Sequence, residues 1–134
     1  YRTNRYALGE AMYEKMGVGR EDKAARYAHL ARNFDFFDAP AAFFCFVDRT
    51  MGSAQWSDLG MFLQTFMLLA VEAGLDTCPQ EAWANHWKAV QNFVQAPDNE
   101  MLFCGMAIGK RDETKKVNTL RSERMPFSDW GKFV

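Results

Sequence analysis

The sequence predicts a chain that combines several helices with a small number of buried strands. Residues 41–47 (Ala-Ala-Phe-Phe-Cys-Phe-Val) and 101–108 (Met-Leu-Phe-Cys-Gly-Met-Ala-Ile) are continuous apolar runs of strand length, stopped by Asp48 and Gly109. Runs of this kind mark buried strands, the first covered on both faces. Between them, residues 56–73 are apolar nearly all round at helical length, a pattern that belongs in a core or at an interface between chains. Hydrophobic residues make up 49% of the 134 and aromatics 15%. That composition is globular and supports one unit with a usable core, or a piece of one.

The elements follow in order. Tyr6, Leu8, Met12, Tyr13 and Met16 recur near helical spacing over residues 4–16, and Gly17-Val-Gly19 ends the run. Residues 20–34 carry a second amphipathic pattern, with Ala24, Tyr27, Ala28 and Ala31 on its apolar stripe and Glu21, Asp22, Lys23 and Arg26 turned away. Ala39-Pro40 closes the connection to the first strand. Gly52-Ser53 opens the long helix, and Gly60 inside it costs about 1 kcal/mol relative to Ala, which points to a close helix approach or a ligand. Gly74 supplies the left-handed residue that stops this helix. The seven residues Gly74-Leu-Asp-Thr-Cys-Pro-Gln80 thus read as a helix stop followed by a turn that exposes backbone donors, with Pro79 leading the next helix. That helix covers residues 81–93, with Trp83, Trp87, Val90 and Phe93 to bury. From Lys110 the chain is polar and aperiodic, with Met125, Pro126, Phe127, Trp130 and Phe133 as apolar anchors expected to wrap over another surface.

Several function classes are disfavoured by composition. The 16 basic and 17 acidic side chains give a net charge of −1, so there is no electrostatic footprint for nucleic acid or an anionic membrane. No apolar run approaches the ~20 residues of a membrane span. Cys45, Cys78 and Cys104 are odd in number and lack Cys-x-x-Cys spacing, which favours a reduced, cytoplasmic chain over a disulfide scaffold. His29 and His86 lie on separate predicted helices without carboxylate or Cys partners at ligand spacing, so they read as packing residues and no metal is expected. Neither phosphate-loop pattern occurs, and Gly17-Val-Gly19 has no strand before it. The chain opens at Tyr1 directly in helical sequence, so it is expected to continue something upstream.

One resemblance covers more than half of the chain. Asp58-Leu-Gly-Met-Phe-Leu-Gln-Thr, Gly74-Leu-Asp-Thr-Cys-Pro-Gln, Glu100-Met-Leu-Phe-Cys-Gly-Met-Ala-Ile-Gly and Asn118-Thr-Leu-Arg-Ser-Glu-Arg-Met-Pro together resemble the FMN-dependent nitroreductase family, nearest its nitrobenzoate-reductase-like branch. Phe36-Phe-Asp-Ala-Pro-Ala-Ala-Phe-Phe resembles the family segment that leads into a strand. The resemblance implies an α+β, nitroreductase-like fold: a central mixed sheet, and a long buried helix at a homodimer interface where FMN lies. It also implies a ping-pong reaction in which NAD(P)H, NADPH or NADH, reduces the flavin before a nitroaromatic, quinone or similar conjugated acceptor reoxidises it. The flavin carries that chemistry, so no catalytic side chain is expected.

Residue by residue, Thr77, Cys78, Pro79, Gln80 and Glu81 match the family segment that packs on the flavin ring and offers backbone N–H groups near N5 and O4, with Gln80 or Glu81 as donor. Arg124 matches the family arginine that pairs with the FMN phosphate, and Arg121 is a second candidate. Trp56, in the loop before the long helix, is a candidate border of the substrate pocket. The family's N-terminal Arg-Ser-x-Arg pattern and an Asn-containing flavin contact have no counterpart here. Residues 1–134 are therefore expected to be the C-terminal portion of a single FMN-binding domain that holds FMN poorly alone. The alternative is a truncated, non-enzymatic dimerising fragment that binds no flavin.

Overall fold

The computed structural model describes residues 2–134. Its elements are α1 (Arg2–Lys15), α2 (Lys23–Ala31), β1 (Ala41–Asp48), α3 (Ser53–Glu72), β2 (Asp76–Gln80), α4 (Trp87–Val94) and β3 (Glu100–Gly109), with 3₁₀ turns between and after them. Two compact units result: Tyr27–Arg111, and the described residues to Arg26 together with Asp112–Val134.

The larger unit is built on a three-stranded sheet of order β1-β3-β2. β3 takes the centre because it is the most apolar run, with Leu102, Cys104, Met106 and Ala107 all buried. Both neighbours run against it, so every pairing is antiparallel where a mixed sheet is expected. A parallel pairing needs a further strand reached by a crossover, and the described residues contain no such strand.

One irregularity sets which side chains meet. Cys45 pairs with Cys104 but Phe46 with Leu102, so Phe103 is an extra residue, a β-bulge. An inserted residue reverses the side-chain alternation. Met101 before the bulge, Phe103 at it, and Cys104, Met106 and Ile108 after it consequently all join the cluster with Phe43, Cys45 and Val47 of β1 and Leu59 and Leu63 of α3. Continuous apolarity conceals this phase change in the sequence.

α3 begins at Ser53, three residues before its expected start, where the Gly52 N–H donates to Gln55 Oε1 (2.9 Å). It ends as expected at Gly74 (φ +75°). The Gly74 N–H donates to the Val71 carbonyl (3.0 Å) and the Leu75 N–H to that of Ala70 (2.8 Å), the paired bonds of a Schellman stop. Burial of this helix is one-sided: Leu59, Leu63, Phe66, Met67 and Ala70 turn inward. Met61, Phe62, Leu68, Leu69 and Val71 are 58–62% exposed. A Cβ on Gly60 would meet nothing within 4 Å, so the close approach expected there is absent among the described residues.

Four expectations about the helices are corrected. α2 stops at Ala31, not Phe34, and Ala24, Tyr27, Ala28 and Ala31 are exposed while Ala25, Arg26 and His29 are half-buried. Alanines bury too little apolar area to fix a helix face. Arg26 does so instead, making paired hydrogen bonds to Glu10 (2.9 Å each) and lying 4.1 Å over the Tyr13 ring. Residues 81–93 split into a 3₁₀ turn, Glu81–His86, and α4. Trp87 and Phe93 are exposed at 40% and 84%. Gln91 is buried in their place, its Nε2 donating to the carbonyls of Ala96 (3.4 Å) and Pro97 (3.2 Å).

Between α2 and β1, Phe36, Phe37 and Asp38 adopt φ of 52°, 55° and 62°, three successive non-glycine residues in the left-handed region. Each costs about 1–2 kcal/mol. Local bonds offset this: the Phe37 N–H donates to Asp35 Oδ1 (2.9 Å), and Arg32 pairs with Asp38 (2.5 Å). The Phe36 ring also packs on Trp83 (4.9 Å) and Phe44 (5.5 Å).

After β1, the Asp48 carboxyl is held below the ordinary aspartate range, first by the Thr50 hydroxyl (2.5 Å), then by the Thr50 N–H (2.7 Å) and the Asn99 amide (3.2 Å). A depressed folded pKa contributes stability that is complete above the unfolded pKa and disappears as pH falls through the folded one. The stability difference between the parent and Asp48→Asn is therefore expected to be largest near neutral pH and to shrink below the ordinary aspartate range. Thermal midpoints at stepped pH check this, and a gap that widens in acid would refute it.

In the smaller unit, the segment after Asp112 forms 3₁₀ turns at Lys116–Thr119 and Phe127–Asp129. The Phe127 ring meets Trp130 and Phe133, each at 5.0 Å. Met125, Trp130 and Phe133 remain 57–92% exposed, so these anchors cluster locally, leaving most of their surface uncovered.

Candidate functional site

Thr77, Cys78, Pro79 and Gln80 lie together in β2, and Glu81 opens the following 3₁₀ turn. The expected turn at this place is a strand. Once the Schellman stop reverses the chain beside β3, residues 76–80 gain ladder bonds that a turn would forgo. Proline fits because β2 is an edge of this sheet, where its nitrogen can face away from the ladder. The same alternation turns the Thr77 N–H outward, and no side chain caps the N–H groups that open the turn at Glu81.

The register divides the β2 side chains between two faces. Thr77 and Pro79 lie opposite Ile108 and Met106, on the face covered by α3. Asp76, Cys78 and Gln80 lie opposite Gly109, Ala107 and Gly105, on the other. Asp76 closes the strand end by accepting from the Arg111 N–H (3.0 Å) and pairing with its guanidinium (2.9 Å).

Gln80 is 2% exposed, and its Nε2 donates to the Asn33 carbonyl (3.1 Å). Its Oε1 and the Trp83 Nε1 are both buried without a hydrogen-bond partner among the described residues. Trp83 lies over Gly105, where an added Cβ would sit 2.5 Å from Trp83 Cδ1 and 2.9 Å from Phe36 Cε1. Phe34 and Phe44 complete the aromatic layer around Trp83, at 5.3 and 5.0 Å. The Gln80 side chain is therefore an internal tie, and only its backbone is available at the strand edge. Sequence reasoning missed this layer. Its available signal was Gly105 in the middle of an apolar strand, a mark of close approach.

Trp56 stands in the first turns of α3, where a loop is expected; its ring lies 5.7 Å from Phe103 and it is 40% exposed. Arg121 and Arg124 belong to the smaller unit. Arg121 Nη1 donates to the carbonyls of Asn118 (3.0 Å) and Leu120 (2.9 Å). Arg124 Nη1 donates to the Ser122 carbonyl (3.3 Å) and hydroxyl and to the Glu123 carbonyl (3.5 Å). These bonds use a single nitrogen of each fork, and a guanidinium keeps further donors beyond it.

The histidines serve as packing groups. Phe34 meets the His86 ring edge-on at 4.5 Å, and Phe37 lies 5.5 Å from His29, whose pKa burial and then Arg32 lower. Among the described residues no three His, Cys, Asp or Glu side chains are grouped to hold a metal.

A model of the nitroreductase family matches residues 2–110. The chain belongs to the nitroreductase family. It is 37% identical to the 4-nitrobenzoate reductase of Pseudomonas putida over 124 residues, which is 92% of this chain and 55% of that protein. It is 34% identical to the chloronitrobenzene nitroreductase of Comamonas testosteroni over all 134 residues, 57% of that protein's length. This nitroreductase-family chain thus spans about half the length of the curated relatives it matches.

Solved structures agree on the fold. The FMN- and NADPH-dependent nitroreductase NfnB from Sphigopyxis sp. strain HMH superposes with a TM-score of 0.94 at 40% identity, over 99% of this chain and 60% of that one. The FMN-dependent NfnB from Mycobacterium smegmatis, in complex with NADPH, superposes at 0.92 over the same shares at 24% identity, a likeness of fold. The nitroreductase-like α+β fold is thereby established for this chain. No helix of the described residues is long and apolar enough to cross a membrane.

Proposed function

We propose that this chain forms part of an FMN-binding domain in a flavoenzyme that passes electrons from NADH or NADPH to nitroaromatics, quinones or similar conjugated acceptors. The observation that carries the reading is the open edge of β2, in a chain whose relatives are named as reductases of nitroaromatic compounds. Outward peptide groups at Thr77 and Glu81 match the ring nitrogen and carbonyl oxygen of a flavin, and Cys78 and Pro79 are exposed beside them. Free donors on Arg124, with Arg121 second, match a phosphate. The residues present therefore fit FMN.

The chemistry supplied by bound FMN is acceptance of hydride from NAD(P)H and, in a separate ping-pong half-reaction, delivery of electrons to the acceptor. The chain's own residues hold and orient: the Thr77–Glu81 edge donates hydrogen bonds to the ring, Arg124 anchors the phosphate, and Trp56 borders the acceptor pocket. No side chain acts as acid, base or nucleophile. The open stripe of Met61, Phe62, Leu68, Leu69 and Val71 on α3 serves as a homodimer interface, since a contiguous apolar surface of this kind marks an interaction site. Free thiols at Cys45, Cys78 and Cys104 suit a reducing cytoplasm, and the balanced charge leaves nucleic acid and membranes outside the set of partners.

Absorbance of the purified full-length protein tests the proposal. A flavin band should bleach on NADPH addition and return with a nitroaromatic. A colourless protein that takes up no added FMN would mean the non-enzymatic fragment instead. Arg124→Ala is expected to weaken FMN binding by about 1.5–3 kcal/mol, about ten- to 150-fold, the range for hydrogen bonds to a charged group, with the circular-dichroism spectrum unchanged. Undiminished affinity in that variant would remove Arg124 from the site.

A further inference from the structure

We propose that Cys45 and Cys104 form a buried dithiol site that a hydroperoxide closes to a disulfide across the centre of the sheet. The inference stands on the sheet geometry and is independent of the flavin reading. The two residues are direct cross-strand partners. Opposed residues in an antiparallel pair have Cα atoms about 4.5–5.5 Å apart, inside the ~4.4–6.8 Å span of disulfides. Both side chains point to the α3 face, in one core cluster, at 8% and 1% exposure. The bulge at Phe103 interrupts the ladder beside Cys104, so backbone adjustment toward bonding distance falls at a point already irregular.

The third cysteine is excluded by the period of the sheet. Cys78 lies opposite Ala107, three residues past Cys104 and hence on the opposite face. The pair is also chemically ordered. The Cys104 thiol, acting as a donor toward Cys45, lowers the Cys45 thiol to about 7, while the same neighbour pushes Cys104 up, so Cys45 ionises first. The Cys45 thiolate attacks one peroxide oxygen, the O–O bond breaks, and sulfenic acid forms as hydroxide leaves and takes a proton. The Cys104 sulfur then attacks the Cys45 sulfur, the S–O bond breaks, and its oxygen leaves as water with the Cys104 proton. In sum, two thiols lose two electrons and two protons, and hydrogen peroxide is reduced to two waters.

The experiment uses the full-length protein carrying Cys78→Ser, reduced and then exposed to hydrogen peroxide, with the unsubstituted protein alongside so that oxidation of exposed Cys78 reports an effective dose. The expected product has lost the mass of two hydrogens, yields a cross-link between the peptides holding Cys45 and Cys104, and reverts with dithiothreitol. Adding Cys104→Ala should instead trap Cys45 as a dimedone-reactive sulfenic acid. If that variant does not fold, the cross-link in the Cys78→Ser protein decides alone. Two free, alkylatable thiols after a dose that oxidises Cys78, or separate oxygen adducts without a cross-link, would overturn the proposal.

Discussion

Met106→Ala is expected to destabilise the protein by about 2–5 kcal/mol, the range for truncating a buried methionine to alanine. Met106 is 0% exposed on the central strand, among Leu59 and Leu63 of α3 and Cys45 and Val47 of β1. Its neighbours are held by a helix on one side and a paired strand on the other, so the vacated space cannot close by loop movement, and the cavity term adds to the lost transfer energy. Urea unfolding reads this as a lower midpoint at constant slope. Met106→Leu conserves volume and should cost less than about 1.5 kcal/mol. A small effect for alanine would mean that the α3 face is not the tightly packed side of the sheet.

Substitution one residue earlier acts through the opposite face and by the opposite mechanism. Gly105→Ala places a Cβ 2.5 Å from Trp83 Cδ1, 2.9 Å from Phe36 Cε1 and 3.0 Å from Trp83 Nε1. Such overpacking costs about 1–3 kcal/mol, and Gly105→Val should exceed Gly105→Ala. Trp83 cannot retreat freely, because Phe34, Phe36 and Phe44 surround it, and Phe36 is committed to a left-handed backbone. The discriminating measurement is a double-mutant cycle with Trp83→Ala. If the clash is the cause, Gly105→Ala should be much milder without the indole. Strict additivity would assign the cost to the backbone of β3 instead.

The strands and the long helix were legible in the residues because burial on both faces leaves an unbroken apolar run, and helix length with a glycine stop leaves a clear signature. Residues 41–47 and 101–108 lie inside β1 and β3, and Gly74 ends α3 as expected. Three features were hidden, each for a separate physical reason. β2 is short and contains Pro79, which reads as a breaker unless the strand is known to be an edge. The left-handed run at Phe36, Phe37 and Asp38 has no glycine to announce it, because aromatic packing and two local side-chain bonds hold it. The Phe103 bulge lies in a run where all neighbours are apolar, so its change of phase leaves no trace.

At the candidate site, family resemblance alone singled out residues 77–81, and their strand conformation was not legible. Gln80 illustrates the difference: a polar residue beside a proline reads as a surface donor, yet its side chain is buried and tied to Asn33. Trp56 and Arg124 were likewise named as candidates by resemblance alone. Their observed contacts, with Phe103 and with adjacent backbone, are local ones that no sequence period encodes.

Pro79 also bears on how copies of this protein avoid each other. An exposed strand edge is a template on which another chain can polymerise, and proline on the edge is one of the ways proteins block that growth. Here the block falls at the fourth residue of a five-residue strand, so an incoming strand finds a missing donor before it can build a continuous ladder. Growth of an amyloid-like stack of its own kind from this edge is thus stopped at Pro79.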